Sequence, residues 1–484
     1  MSERDPSPNR KLRANAVNAE PSVETVPKRA RGGRNARSRE ADFIVIGGGS
    51  AGMTAATRAA RHGAKVILVE RGAMGGTCVN RGCVPKKMLS YGAGLASILT
   101  GCLAHTGARE DWRDAIVRVN AEVARLHVVY TERMAKGGVE LLHGDATFAG
   151  PERVRLGDET LHARRILVAT GSRPRALPVP GGDLMSNSDD VFTWQSVPAS
   201  IIVVGGGYIG VEMASILSRY GVKVDMLVAG ERLLPGFDHE IAAELADAMR
   251  AKGIRIHLNA EVTLVSQSNG AYEVCYQFKD YPGKIHALRA QAALAAVGRV
   301  PVVDGLGLDT LGVALGEGGG IVVNRQFRSN VRSIYALGDV IDDIQLTPVA
   351  IAQGRWLADR LFGTRGDRAD LDSLATAVFC EPAIGSVGLT EHAATEALGM
   401  VKRVRTVVRR FVSLENRFGG STQASVFKLV LDARTGRVLG AHLLDNAAPE
   451  IVQTLAVAIR LGLKESHLRT TLQVHPTVAE ELFG

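Results

Sequence analysis

Residues 43–70 read FIVIGGGSAGMTAATRAARHGAKVILVE, and residues 201–228 read IIVVGGGYIGVEMASILSRYGVKVDMLV. The two stretches share one plan. An apolar β-branched run leads into G-x-G-x-x-G, apolar residues follow at helical spacing, and a glycine precedes a second apolar run. The offsets agree too, since Gly47 to Gly63 and Gly205 to Gly221 are each 16 residues apart. A single G-x-G-x-x-G arises by chance, but two copies with a strand before and a helix after predict a pair of dinucleotide-binding βαβ units. In each unit the first glycine (Gly47, Gly205) permits the tight turn. The second (Gly49, Gly207) lets the backbone approach a pyrophosphate, and the third (Gly52, Gly210) lets helix and strand pack closely. Phosphate then sits on the unpaired N–H groups where the helices open, at Ser50 and Tyr208. Glu70 closes the second strand of the first unit, where a carboxylate can accept hydrogen bonds from a ribose 2′-OH.

Working outward, residues 163–171 and 333–340 read as short strands ending in small residues, and the second places Asp339 at a strand's carboxyl end, where α/β sheets bind ligands. From about residue 372 the pattern changes. AVFCEPAIGSVGLTE, SVFKLVLD and GRVLGAHLLD look like antiparallel strands, with an amphipathic helix around 448–462. The predicted fold class is α/β, with two Rossmann-like units and a separate C-terminal α+β domain.

Bulk properties narrow the possibilities. At 484 residues the chain is too long for one core. Hydrophobic content of 46% with 22% charge is ordinary globular material, and no stretch approaches the run of about 20 apolar residues that a bilayer span requires. A soluble protein without a membrane partner is expected. Of the net charge of +8, the first 40 residues carry +5, from ten Lys or Arg against five Asp or Glu. No groove-reading motif accompanies the excess, so residues 1–40 read as a disordered basic tail rather than a specific nucleic-acid module. Five cysteines (Cys78, Cys83, Cys102, Cys275, Cys380) do not make a structural disulfide framework. Two of them lie close together, and in a reducing cytoplasm that favours a working pair.

That pair sits in residues 75–89, GGTCVNRGCVPKKML. Gly75, Gly76 and Gly82 permit close approach to a large flat ligand, and Pro85 is expected to interrupt the local helix. Thiol–disulfide exchange needs one thiolate to attack and a neighbour to resolve the mixed disulfide. A pair at a helix start, followed by Lys86 and Lys87, favours the thiolate. Zinc would call for a second Cys/His pair at ligand spacing, which is missing. The last ten residues, HPTVAEELFG, add His475. Pro476 restricts its backbone to extended geometry, and Glu480 is within reach to set its tautomer.

Together these residues resemble the pyridine nucleotide–disulfide oxidoreductases over nearly everything after residue 41. GGTCVNRGCVPKK, GDVIDDIQLTPVAIAQGRWLADRLFG and the ending HPTVAEELFG are most similar to the glutathione reductase branch. The resemblance implies an FAD domain at 41–171, completed by 303–371, an NAD(P) domain at 172–302 and a dimerisation domain at 372–484. It implies FAD, NADPH or NADH, oxidised glutathione as the disulfide partner, and a homodimer. By the same resemblance Cys83 lies nearest the flavin and Cys78 is the interchange thiol. His475, with Glu480, acts as acid–base from the neighbouring subunit, and Lys87 with Glu212 forms an ion pair by the flavin. Asp339 holds the ribityl chain, and Gly76, Thr77, Thr170, Gly171, Ile209, Gly298 and Thr347 extend the cofactor set.

Tyr130 and Arg355 match glutathione-contacting positions, whereas Thr57 stands where some members have an Arg. The arginines expected for a 2′-phosphate are replaced by Ala229 and Pro235, and the acid expected for NAD by Val228. Gly210 leans towards NAD, while Arg232 offers a phosphate a charge from the loop, so both nucleotides stay open. The alternatives are a dihydrolipoamide dehydrogenase, which Lys86 disfavours, and a mercuric reductase, which the absence of a C-terminal cysteine pair disfavours. A flavin-loaded binding protein is a third reading. Intact Cys78, Cys83 and His475 argue against it.

Overall fold

The computed structural model describes residues 38–102, 108–363, 366 and 368–483. Residues 1–37 of the expected tail lie outside these. Its last three residues do not belong to a disordered arm. Ser38–Glu40 form a strand paired in parallel with Glu159–His162, and the Arg39 guanidinium bridges Glu140 and Glu159.

Each glycine-loop motif builds a parallel sheet. In the first, the order is Ile334–Ala336, Ile166–Val168, Phe43–Ile46, Val66–Glu70 and Val139–His143. Phe43–Ile46 is buried along its whole length because both faces of the sheet are covered, which explains its unbroken apolar run. Phe43, Val45 and Leu68 point to helix Ser50–Arg61 and its neighbours. Ile44, Ile46, Ile67 and Val69 point to a small sheet carrying Phe148, Val154 and Leu161. Helix Thr347–Phe362 packs on Ser50–Arg61 so closely that a Cβ on Gly354 would stand 2.7 Å from the Ala51 carbonyl oxygen.

The second sheet runs Ser186–Asn187, Ala292–Ala295, Ser200–Val204, Lys223–Leu227 and Arg255–His257, again parallel. It is covered by helices Tyr208–Arg219 and His239–Ala251 and by the antiparallel strands Ala260–Ser268, Ala271–Phe278 and Ile285–Ala290. The chain enters and leaves this unit through Ser172–Pro174 and Arg299–Pro301, which pair antiparallel.

The C-terminal sheet is antiparallel, in the order Ala375–Val378, Ile384–Gly388, Val438–Leu444, Ser425–Asp432 and Val404–Phe411. Helix Ala448–Arg460 lies against it, and only glycine fits at 385, whose Cβ would meet the Ala448 carbonyl oxygen at 2.4 Å. Two long helices, Cys83–Cys102 and Ala108–Lys136, join the first unit to the second. Trp112 is fully buried, edge-on to Tyr220 at 5.0 Å, and its indole N–H donates to the Trp194 carbonyl at 3.0 Å. Among the described residues no helix is long and apolar enough to cross a membrane.

Candidate redox site

Helix Gly76–Arg81 carries Cys78 and stops at Gly82, and Cys83 opens the next helix. The break is therefore at Gly82 and not at Pro85. That proline falls in the first turn of its helix, where its missing N–H has no intrahelical partner to lose. Both cysteines face a cleft of about 1480 Å³ between the first unit, the second and the C-terminal domain. Both are free thiols, as are Cys275 and the buried Cys380. They share one proton unequally. A hydrogen bond from Cys78, the Thr347 hydroxyl 3.7 Å away and the Lys86 charge lower the Cys83 thiol to about 6. Cys78 is pushed well above the ordinary thiol range by its hydrogen bond to Cys83 and by burial. The reduced pair thus holds a thiolate at Cys83 and a protonated thiol at Cys78.

The ion pair beside the cysteines is Lys86–Glu212, with Nζ 2.8 Å from Oε1, and not the Lys87–Glu212 pair expected from the sequence. Both partners are buried, and Glu212 also accepts the Phe379 backbone N–H at 2.8 Å. Lys87 lies against the Phe379 ring, 3.9 Å from its centroid, and also against Tyr91. Burial and then the neighbouring Lys86 charge lower its pKa. Adjacent residues on a helix point about 100° apart, so only one of the two can meet Glu212. Truncating one partner of a buried pair strands the other. Lys86→Met is accordingly expected to destabilise the protein by about 3–5 kcal/mol in denaturant titration, and to slow disulfide turnover.

A second line of polar groups runs along the cleft. Asp339 accepts a hydrogen bond from the Ser172 hydroxyl at 2.7 Å, and Arg299 donates to the Ser172 hydroxyl and carbonyl at 2.8 and 2.7 Å. The end of helix Gly76–Arg81 between the cysteines is braced by Asn80, bonded to His127, and by Arg81, 3.3 Å from Asp189. Burial raises the Asp189 pKa against the pull of Arg81 and Arg299. Tyr208 lines the cleft with its side chain still partly open to solvent. Ser172, Arg299, Asn80, His127 and Asp189 escaped the sequence reading. The Arg299 signal was a bare G-R after a short strand.

The glycine loops fit dinucleotides. Gly47 has φ +108°, and a Cβ there would stand 2.4 Å from the Ala169 carbonyl oxygen. A Cβ on Gly52 would meet the Gly47 oxygen at 1.9 Å. Gly205 and Gly210 repeat the arrangement against Ala296 and Gly205, both at 2.2 Å. Gly49 and Gly207 cap their helices without any side-chain hydrogen bond, so the helix N–H groups are left for phosphate. Glu70 accepts the Gly48 and Gly72 N–H groups at 2.6 and 2.7 Å, which aims its carboxylate at the cleft.

Ser50, Gly76, Thr77, Thr170, Gly171, Ile209, Asp339 and Thr347 also line the cleft. Gly298, at φ +109°, turns the chain just before Arg299. Tyr130 and Arg355 are not among the cleft-lining residues. Tyr130 packs on the core of the first unit and Arg355 is exposed on its helix. Thr57 turns inward, its hydroxyl donating to the Met53 carbonyl at 2.8 Å. His475 is outside the cleft too, 79% exposed, with Nδ1 2.9 Å from Glu480. Among the described residues no cluster of His, Cys, Asp or Glu is arranged to hold a metal ion.

Two dinucleotide folds converging on a thiolate–thiol pair define a flavin- and nicotinamide-dependent disulfide oxidoreductase. Comparison with known proteins gives the same answer. Residues 41–354 match the pyridine nucleotide-disulphide oxidoreductase family and residues 374–483 match its dimerisation domain. The chain belongs to this family, and FAD with a nicotinamide nucleotide are its cofactors. A glutathione reductase from Burkholderia cepacia is 40% identical over 445 residues, spanning 91% of this chain and 97% of that one. Another from a Nostoc strain is 38% identical, with 91% and 98% covered. Among solved structures, the HOCl-induced flavoprotein disulfide reductase RclA from Escherichia coli, as its Cu(II) complex, superposes with a TM-score of 0.81 at 30% identity. It covers 92% of this chain and 98% of that one.

Proposed function

We propose that this chain reduces oxidised glutathione, as a homodimer in which each Cys78 is served by the partner subunit's His475. The observation that carries the reading is that Cys78 and Cys83, both free thiols, line one cleft beside the Thr347 hydroxyl and the buried Lys86–Glu212 pair. Cys78 is the sulfur that would attack, and among the described residues no histidine lines its cleft. His475 suits the task. Glu480 accepts a hydrogen bond from Nδ1–H, which leaves Nε2 free to accept a proton. Its exposure in a single chain and the match of residues 374–483 to a dimerisation domain support delivery from a second copy.

The steps on this chain follow. Nε2 of the partner's His475 takes the Cys78 proton, and the Cys78 thiolate attacks one sulfur of the substrate. A Cys78–glutathione disulfide forms, and the departing thiolate takes the proton back from the imidazolium. The Cys83 thiolate then attacks Cys78 Sγ, releasing the second glutathione thiolate and closing the Cys78–Cys83 disulfide. FAD, when bound, supplies the two electrons from the nicotinamide that reopen this disulfide. Lys86, Glu212 and Thr347 keep charge and hydrogen bonds fixed around Cys83 throughout.

Glutathione as acceptor is supported by the named relatives and not by Tyr130 or Arg355, which stand away from the cleft lining. The rim of the second nucleotide site presents Ala229 and Pro235, both exposed, and neither offers a charge to a 2′-phosphate. A working dithiol with free cysteines around it suits a reducing compartment such as the cytoplasm. A direct test traps the intermediate. Reduced Cys83→Ser protein mixed with oxidised glutathione is expected to carry one glutathionyl group on Cys78 by mass spectrometry. An unmodified Cys78 would sink the glutathione assignment.

A further inference from the structure

Where the second nucleotide unit meets the C-terminal domain, the buried pair Lys428–Asp238 anchors a charge cluster that the disulfide chemistry does not use. Lys428, on strand Ser425–Asp432, is 2% exposed. Its Nζ is 3.0 Å from Asp238, 2.6 Å from Glu391 and 3.2 Å from Glu240. Asp238, also 2% exposed, caps helix His239–Ala251 by accepting the Glu240 N–H, and its other oxygen accepts the Glu391 N–H at 3.3 Å. Burial opposes both charges, yet hydrogen bonds to Glu391 and Asp238 hold Lys428 above its usual range, and the bond from Lys428 holds Asp238 below its own.

Asp238 ends the loop that follows strand Lys223–Leu227, the second strand of the βαβ unit. Inside this loop Leu234 has φ +52°, a left-handed conformation that L-residues avoid and glycine adopts freely. Its side chain is 1% exposed, and its N–H donates at 2.8 Å to the carbonyl of Gly206, in the middle of the glycine loop. Phe237 N–H closes back onto the Leu234 carbonyl at 3.1 Å. Pro235, Gly236 and Phe237 line the cleft. A strained residue persists only where its surroundings over-determine it. Here one end of the loop is fixed by its own sheet and the other by a lysine from a different domain.

We propose that Lys428 is a positioning residue for the nicotinamide nucleotide. From the C-terminal domain it fixes Asp238, and through Asp238 it keeps Leu234 seated on Gly206, so that the loop holds the shape that receives the nucleotide. This rests on the reading of Gly205–Gly210 as the nicotinamide nucleotide site.

The test uses the FAD-loaded enzyme with Lys428→Met and the isosteric Asp238→Asn. NADPH and NADH binding is measured by calorimetry and tryptic nicking at Arg232, within the loop, by mass spectrometry. Flavin content and thermal melting report folding. The expected result is a nucleotide Kd raised about tenfold or more and faster nicking at Arg232. The KM for the nucleotide should rise while the KM for the disulfide stays put, with flavin content unchanged. If Lys428→Met does not fold, Asp238→Asn decides. A folded Asp238→Asn protein with wild-type Kd and nicking rate overturns the inference and leaves the cluster as an interdomain staple. Wild-type enzyme that binds neither nucleotide overturns the reading of the glycine loop itself, an outcome recognised because no variant is needed to see it.

Discussion

Cys78→Ser is expected to lower disulfide turnover by about 10⁴-fold or more, the loss typical of deleting an attacking nucleophile. The protein should still bind FAD, because Gly47 and Gly52 of the cradle close on the Ala169 and Gly47 backbone carbonyls and not on the thiol. A serine hydroxyl cannot form the mixed disulfide, and Cys83 lacks a partner with which to close the internal one. The same variant carries a titration signature. Cys83 is held near 6 first by its hydrogen bond from Cys78, then by Thr347 and Lys86. In the reduced wild type, alkylation of Cys83 should therefore rise through about pH 6 and be nearly complete at neutrality. In Cys78→Ser the weaker support should move that rise to higher pH. Peptide mapping after iodoacetamide treatment reads both. An alkylation profile of Cys83 centred near an ordinary thiol value in the wild type would contradict the proton sharing described above.

His475→Ala is expected to cost about 10²–10⁴-fold in turnover, the range for a removed general acid–base. The loss should be least at alkaline pH, where hydroxide can deprotonate Cys78 without help. Mixed dimers offer a sharper arm. Co-expressing Cys78→Ser with His475→Ala chains places one intact Cys78 opposite one intact His475 in each heterodimer. If the histidine crosses the interface, that dimer recovers about half of the wild-type activity, one working site in two. Heterodimers as inactive as either parent would show that the histidine serves its own chain.

Much of this architecture was legible because it is local. The glycine offsets, the apolar runs and the Cys78–Cys83 spacing are constraints that a backbone turn or a helix end imposes within a few residues. Phe43–Ile46 and Ser200–Val204 are strands for the reason their sequences suggest, burial on both faces. What depended on how elements face one another was not legible. Lys86 and Lys87 are equivalent in composition, and only the placement of helix Tyr208–Arg219 against the redox helix decides that Lys86 meets Glu212. Tyr130 and Arg355 matched by position, but neither is among the residues lining the cleft of the single chain. The Lys428–Asp238 contact joins residues 190 apart in the chain, and Arg299 acts through Ser172 across the paired strands that enter and leave the second unit. Neither pair has a sequence motif. Thr57 is the instructive intermediate case. The replacement of Arg was visible, but its hydroxyl's return to the Met53 carbonyl was not.

The central claim, that electrons pass from a nicotinamide nucleotide through the Cys78–Cys83 pair to glutathione disulfide, is tested most directly by steady-state turnover of the FAD-loaded protein. NADPH and NADH oxidation would each be followed with oxidised glutathione, lipoamide or Hg(II) as acceptor. The account predicts turnover with oxidised glutathione well above the other two acceptors, abolished in Cys78→Ser, and the ratio of the two nucleotides measures what Ala229 and Pro235 leave at the rim. Glutathione disulfide that stays inert while lipoamide or Hg(II) is reduced would contradict the glutathione assignment, and no acceptor-dependent oxidation of either nucleotide would contradict the whole account.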